Sequence, residues 1–290
     1  MSHTFGGEWT EKKLAILRRY LGAYTTALQN KGFSLVFIDA FAGTGSRAIA
    51  AGDGELFEVD TSAYADLAKG SSRIALEITP PFQSYVFIEK RARHLDELEQ
   101  AVRAEYAQLA ARCNFIRGDA NAATKSFIES VNKQSTRGVI FLDPYGTQLD
   151  WETLKRIAAT GILDVWYLFP TAMGIGRMTP HGRSMPRSWE DRLDRLLGDR
   201  NWRSRFYVTT ESTDLFGAND VQTQRTASIG NIEAYVIERL KTIFPEVAPK
   251  GLTLGRPNMP MYTLYFACSS RSEKAKLLAR KLAAAALKGQ

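Results

Sequence analysis

Between Leu35 and Phe169 the chain repeats one pattern, a short apolar run of strand length followed by a longer stretch whose apolar residues recur three and four apart. The runs are Leu35–Ala40, Tyr85–Glu89, Cys113–Ile116, Val139–Asp143 and Asp164–Phe169, and helical spacing covers 72–77, 93–111, 122–131 and 151–159 between them. Apolar runs without polar alternation belong to strands buried on both faces, and strands that alternate with helices form right-handed βαβ units around a parallel sheet. A Rossmann-like α/β fold follows, with helices on both faces of a mostly parallel sheet.

The flanks modify that scheme. Trp9 to Leu28 places Leu14, Leu17, Leu21, Tyr24 and Leu28 on one helical face, with Thr10 as N-cap, so a helix precedes the first strand. After a helix at 231–241, residues 251–254 and 261–267 read as two strands with no helix between them, and 272–287 as a closing helix. The strand pair is expected to be an antiparallel hairpin at the edge of a seven-stranded sheet. No repeat and no linker divides the 290 residues, which read as one domain: a helical cap to residue 31, a core from 32 to 170, an insertion from 171 to 228 and a C-terminal part from 229.

What ends the strands is more specific. Val36-Phe-Ile-Asp-Ala-Phe-Ala-Gly-Thr-Gly45 is an apolar run that stops at Asp39 and enters a loop with Gly43, Thr44 and Gly45. Glycine lets a backbone turn sharply and approach a bound molecule, and open α/β sheets bind ligands over the carboxyl ends of their strands. No third glycine completes the dinucleotide pattern, which favours a nucleoside cofactor without pyrophosphate, S-adenosylmethionine foremost. Acids also close or closely follow the next runs, at Glu89, Asp119 and Asp143. A single strand-end acid is ordinarily a helix N-cap or a solvated turn residue. Four in succession suit an adenosyl ligand, with Glu89 accepting from ribose hydroxyls and Asp119 from the adenine amino group. Asp39 would orient the glycine loop and, through water, the cofactor ammonium, while Ala120 would offer a backbone N–H to adenine.

The segments Phe37-Ile-Asp-Ala-Phe-Ala-Gly-Thr-Gly45, Tyr85-Val-Phe-Ile-Glu-Lys90 and Phe141-Leu-Asp-Pro-Tyr-Gly146 together resemble class I S-adenosylmethionine-dependent methyltransferases over most of 35–169. More narrowly they are similar to the three-Cys-motif partner (TcmP) family, as is the opening Trp9-Thr-Glu-Lys12. The resemblance implies the methyltransferase fold, bound S-adenosylmethionine at Asp39, Phe41, Gly43, Thr44, Gly45, Glu89, Lys90, Asp119, Ala120 and Asp143, and a neighbouring protein with a three-cysteine, radical-S-adenosylmethionine-like motif. A non-catalytic module that docks this partner is the alternative to an enzyme.

Asp143-Pro144-Tyr145-Gly146 carries the expected chemistry. An exocyclic amino group is a poor nucleophile because its lone pair is delocalised into the base. Asp143 and the Pro144 carbonyl suit acceptance of its hydrogen bonds, and Tyr145 suits stacking on the base. The tetrapeptide resembles the Asp-Pro-Phe-Gly or Asp-Pro-Tyr-Gly of tRNA guanine-N2 methyltransferases more than the Asp-Pro-Pro-Tyr of DNA amino-methyltransferases, which tilts the acceptor towards RNA guanine. A plain type I turn after the strand is the other reading.

With 38 Lys and Arg against 31 Asp and Glu, a net charge of +7 permits a polyanionic partner. The basic residues Arg177, Arg183, Arg187, Arg192, Arg195, Arg200, Arg203 and Arg205 gather in the insertion, opposed by Glu190, Asp191, Asp194 and Asp199. Phosphate binding, with Arg177, Arg183 and Arg187 as candidates, competes with a salt-bridged surface. Trp166 and Tyr167 read as core, and Phe169, at the strand end, as the aromatic placed to touch substrate. His3, His94 and His181 lack metal-ligand spacing, so no metal is expected. Cys113 and Cys268 support neither a disulfide framework nor a metal site. No basic-then-apolar leader and no membrane-length apolar run is present, so a cytoplasmic protein is expected.

Overall fold

The computed structural model describes residues 7–43, 70–179, 185–213, 219–256 and 259–288. Its core alternates as the apolar runs require. Helix α1 (Gly7–Leu28) leads into β1 (Ser34–Asp39), and a helix α2 at 70–76 precedes β2 (Ser84–Glu89). Then come α3 (Ala92–Glu105), α4 (Ala107–Ala110), β3 (Cys113–Arg117), α5 (Ala120–Ser130), β4 (Thr136–Leu142), α6 (Trp151–Thr160) and β5 (Leu163–Phe169). The helix expected across 93–111 is broken at Tyr106, whose φ of −131° and ψ of 42° leave the helical region.

The sheet order is β3-β2-β1-β4-β5-β10-β8, with β9 (Leu252–Arg256) also on β10 (Met259–Cys268). Strands β1 to β5 pair in parallel, and β10 runs antiparallel to β5, with Thr263 opposite Phe169 and Cys268 opposite Asp164. The expected edge hairpin is β9–β10. The sheet has eight strands rather than seven because β8 (Glu246–Val247) pairs with Ala267 and Cys268 beyond the point where β9 leaves β10. The order reverses between β1 and β4, which places the ligand-binding crevice of such a sheet at their carboxyl ends.

Strand pleating divides the core into two layers. Val36, Ile38, Val86, Ile88, Ile140, Leu142, Val165, Tyr167 and Phe169 face α5 to α9, while Leu35, Phe37, Tyr85, Phe87, Val139, Phe141, Trp166 and Leu168 face α1, α2 and α10 (Glu273–Lys288). Between β1 and β5, Gly138 admits no side chain, since a Cβ there would stand 2.5 Å from the Val36 carbonyl oxygen.

The insertion is structured. A π-helix (Thr171–Gly176) follows β5 directly, and α7 (Arg187–Leu197) and α8 (Trp202–Phe206) lead to a separate two-stranded ribbon, β6 (Tyr207–Thr213) with β7 (Asn219–Arg225). Helix α9 (Ile229–Lys241) then returns to the sheet, its N-terminus closed by a capping box between Ser228 and Asn231. None of the described helices is long and apolar enough to cross a membrane.

Candidate active site

Helix α1 reaches the carboxyl edge of the sheet by running antiparallel to β4. The Tyr24 hydroxyl donates to the Gly138 carbonyl at 3.3 Å, and the Lys13 ammonium to Asp143 Oδ2 at 2.7 Å. Eleven helical residues rise about 16.5 Å and five strand residues span about 16.5 Å, so helix and strand keep step between these contacts. Trp9 extends the fit by stacking on Tyr262 of β10, ring centroids 5.3 Å apart. The buried stripe is Trp9, Ile16, Leu17, Tyr20, Leu21 and Tyr24, which shares Leu17, Leu21 and Tyr24 with the face expected, while Leu14 and Leu28 pack at its margin and Lys13 belongs to it with 0% exposure. Thr10 stands within the helix rather than at its cap, because the helix already begins at Gly7.

Four strand ends shape the site. Asp39 is fully buried: its Oδ1 accepts from the Phe41 N–H at 3.3 Å and its Oδ2 from the Ser71 and Ser72 hydroxyls at 2.7 and 3.3 Å. Burial pushes its carboxyl up to about 7, the Ser71 bond opposing this and the charge of Asp143 adding to it. This enclosed carboxyl orders the turn after β1 and the start of α2. Glu89 is the acid that touches the glycine loop. Its Oε2 accepts from the Gly43 N–H at 3.1 Å and its Oε1 from the Arg91 N–H at 2.8 Å, and Gly43 turns with a φ of +47°. His94 Nδ1 stands 3.9 Å from Glu89 Oε1.

Asp119 is the N-cap of α5, its Oδ1 accepting from the Asn121 and Ala122 N–H groups at 3.0 and 3.1 Å, with Ala120 buried behind it. Asp143 is 4% exposed and Pro144 buried, whereas Tyr145 is half-buried. The segment after them is fixed from two sides. Asn121 donates to the Gln148 carbonyl at 2.8 Å and accepts from the Asp150 N–H and Thr153 hydroxyl at 2.9 and 2.8 Å, and the π-helix packs Gly174 against Thr147.

Tyr262 gathers the remaining groups. Its hydroxyl is pushed well up by burial, then by the charge of Asp143 and by Tyr145, with the Arg177 guanidinium opposing. Arg177, exposed just after the π-helix, lies near enough to Tyr262 for its charge to act on that hydroxyl, as do Asp143 and Tyr145.

Other expected positions fall elsewhere. Phe169 is 1% exposed and packs edge-on against Tyr167 and Tyr265, because pleating turns it into the core; it offers no face to a substrate. Arg187 is exposed at the start of α7, and Lys90 is exposed just after β2. Thr44, Gly45, Arg183, His3 and His181 lie outside the described residues. The salt-bridged reading of the insertion describes Arg200 and Arg203, which hold Asp194 at 3.2 and 2.7 Å, and Arg205, which holds Glu238 at 3.0 Å. Among the described residues no group of His, Cys, Asp or Glu could hold a metal, and both cysteines are free.

Sequence reasoning missed Lys13, Ser71, Ser72, Asn121 and Tyr262. Only Lys13 left a local trace, a cation placed within an apolar helical stripe.

No protein-family model and no curated protein matches the chain. Solved structures similar to it include a Legionella pneumophila protein (14% identity over 90% of this chain and 97% of that one, TM-score 0.42). An O-methyltransferase from Bacillus cereus in complex with S-adenosylhomocysteine is 12% identical, over 87% and 80% of the two chains, with a TM-score of 0.36. The glycopeptide N-methyltransferase MtfA with S-adenosylhomocysteine is 13% identical over 86% and 89%, with a TM-score of 0.35.

Proposed function

We propose that this chain is an S-adenosylmethionine-dependent methyltransferase acting on an exocyclic amino group of a nucleic-acid base, RNA guanine before DNA adenine. The observation that carries the reading is the meeting of strand-end groups at the switch point of the sheet, with Glu89 on the Gly43 amide and Asp143, Tyr145 and Arg177 all within electrostatic reach of Tyr262. The residues fit the cofactor. A carboxylate has about four lone-pair sites, and Glu89 spends two on N–H groups, which leaves acceptors for a ribose diol. Gly43 brings backbone close by, and Asp119, exposed, keeps an oxygen beyond its capping bonds for an adenine amino group.

Bound S-adenosylmethionine would supply an electrophilic sulfonium methyl. The chain's own task is then to hold an amine in line with it. Asp143 and the Pro144 carbonyl accept the N–H bonds of the acceptor, localise its lone pair, and give its departing proton an acceptor. Tyr145 stacks on the base, and the exposed Arg177 meets a phosphate. The motifs at 37–45, 85–90 and 141–146 support the three-Cys-motif partner family as the finer assignment, and with it a radical-S-adenosylmethionine-like partner.

Radiolabelled S-adenosylmethionine offered with fractionated RNA, DNA and protein tests the reading. Label is expected in RNA, and Asp143→Ala is expected to lower transfer by about 10²–10⁴-fold while cofactor binding persists. A variant that changes only the docking of a partner protein, with no acceptor labelled by the unsubstituted chain, would favour the non-catalytic module instead.

A further inference from the structure

We infer that Lys13, on the N-terminal helix, is a positioning residue for methyl transfer, holding the Asp143 carboxylate in the orientation that receives the acceptor amine. The inference rests on the methyltransferase reading above and makes α1 part of the active site rather than a cap on the sheet.

The fold by itself gives little reason for a lysine here. Lys13 is fully enclosed, and a buried ion pair is at best neutral against apolar residues of similar volume, because both ions lose their hydration. The same helix meets its other buried acid, Asp164, with a neutral donor, the Tyr20 hydroxyl at 2.6 Å. The acid beside Pro144 and Tyr145 is met instead by a fully buried ammonium.

The contact is also built to be rigid. Trp9 on Tyr262, Tyr20 on Asp164 and Tyr24 on Gly138 fix α1 above and below position 13. The Lys13 ammonium sits 5.3 Å from the Phe141 ring centroid, two residues before Asp143 on the same strand. The bond to Oδ2 fixes one oxygen of the carboxylate and with it the torsion of the group. A rotated carboxylate would misplace the acceptor nitrogen, and errors of about 1 Å at a reacting atom cost about 10²-fold in rate. Lys13 also lies close enough to Asp39 to moderate that group, so one cation serves two buried carboxyls at the strand tips.

The test compares Lys13→Met and Lys13→Arg with the unsubstituted chain, using radiolabelled S-adenosylmethionine, total RNA and denatured DNA. Each protein is first checked for an unfolding transition and for S-adenosylhomocysteine affinity by calorimetry. Lys13→Met is expected to lower kcat about 10²-fold with S-adenosylhomocysteine affinity within about threefold, and Lys13→Arg to recover at least a tenth of kcat. If Lys13→Met does not fold, Lys13→Gln, which removes the charge but keeps a donor, takes its place with the same expected loss. A charge-free variant with kcat within threefold of the unsubstituted chain overturns the inference and leaves the methyltransferase reading intact. Equal losses of kcat and of S-adenosylhomocysteine affinity in the Met and Arg variants also overturn it, since they mark general damage. Absence of transfer by the unsubstituted chain overturns the reading itself, and this inference with it.

Discussion

Lys13 and Tyr20 stand two turns apart on one face of α1, and each ends on a buried aspartate, Asp143 at the carboxyl end of β4 and Asp164 near the amino end of β5. The first acid meets an ammonium at 2.7 Å, the second a phenol at 2.6 Å with the Cys268 thiol beside it. Burial pushes the Asp164 carboxyl up to about 6, the neutral Cys268 and Tyr20 donors pulling against it. A carboxyl that only has to be satisfied can be met with neutral donors. A carboxyl that has to act as an anion calls for a cation, and that cation is costly to bury. The difference separates a packing joint from a working site on the same helix.

Breaking the charged joint should have the larger effect. Lys13→Ala strands an anion in the core and is expected to lower the unfolding free energy by about 3–5 kcal/mol in denaturant titrations, whereas Lys13→Met with Asp143→Leu should return to near the original stability or exceed it. Equal instability of the single and double variants would mean that Lys13 acts through packing and not through its charge. At the neutral joint, Tyr20→Phe removes one hydrogen bond to a carboxyl and is expected to cost about 1.5–3 kcal/mol in the same titrations. A cost as large as that of Lys13→Ala would erase the distinction.

The two joints also bear on the pH dependence. Asp39 and Asp164 have folded-state values, about 7 and about 6, above the ordinary carboxylate value of 3.8. Such a group binds its proton more tightly in the folded chain. Its contribution is therefore full below pH 4 and is lost as pH rises to the folded value. Stability should fall as pH rises from about 4 to about 7, and Asp39→Asn should flatten the slope above pH 6 more than Asp164→Asn does. An unfolding midpoint that rises across this range would place both carboxylates among charged partners instead.

The parallel core was legible because fully buried strands are written as unbroken apolar runs and their helices as three-and-four spacing. The runs at 35–40, 85–89, 139–143 and 164–169 all become strands within a few residues of the expected bounds. The acids at their ends were legible for the same reason, since a carboxylate is costly inside a buried strand and marks where the apolar run stops. Position along a strand does not reveal depth, however. Asp39 and Asp143 are enclosed while Asp119 caps a helix in the open, and all three follow apolar runs in the same way. The insertion left two readings open because its arginines pair with acids from several elements, as Arg205 does with Glu238 of α9.

The chain alone therefore determined the alternating sheet, the acids at its carboxyl edge and the Asp-Pro-Tyr-Gly tip, all of them set by local periodicity and by where buried strands must stop. Only the tertiary structure decided that Lys13 meets Asp143 across 130 positions, that Ser71 closes on Asp39, and that Phe169 turns inward. Those outcomes depend on which helix lies over which strand and which pleat faces which layer, and no window of sequence contains both partners.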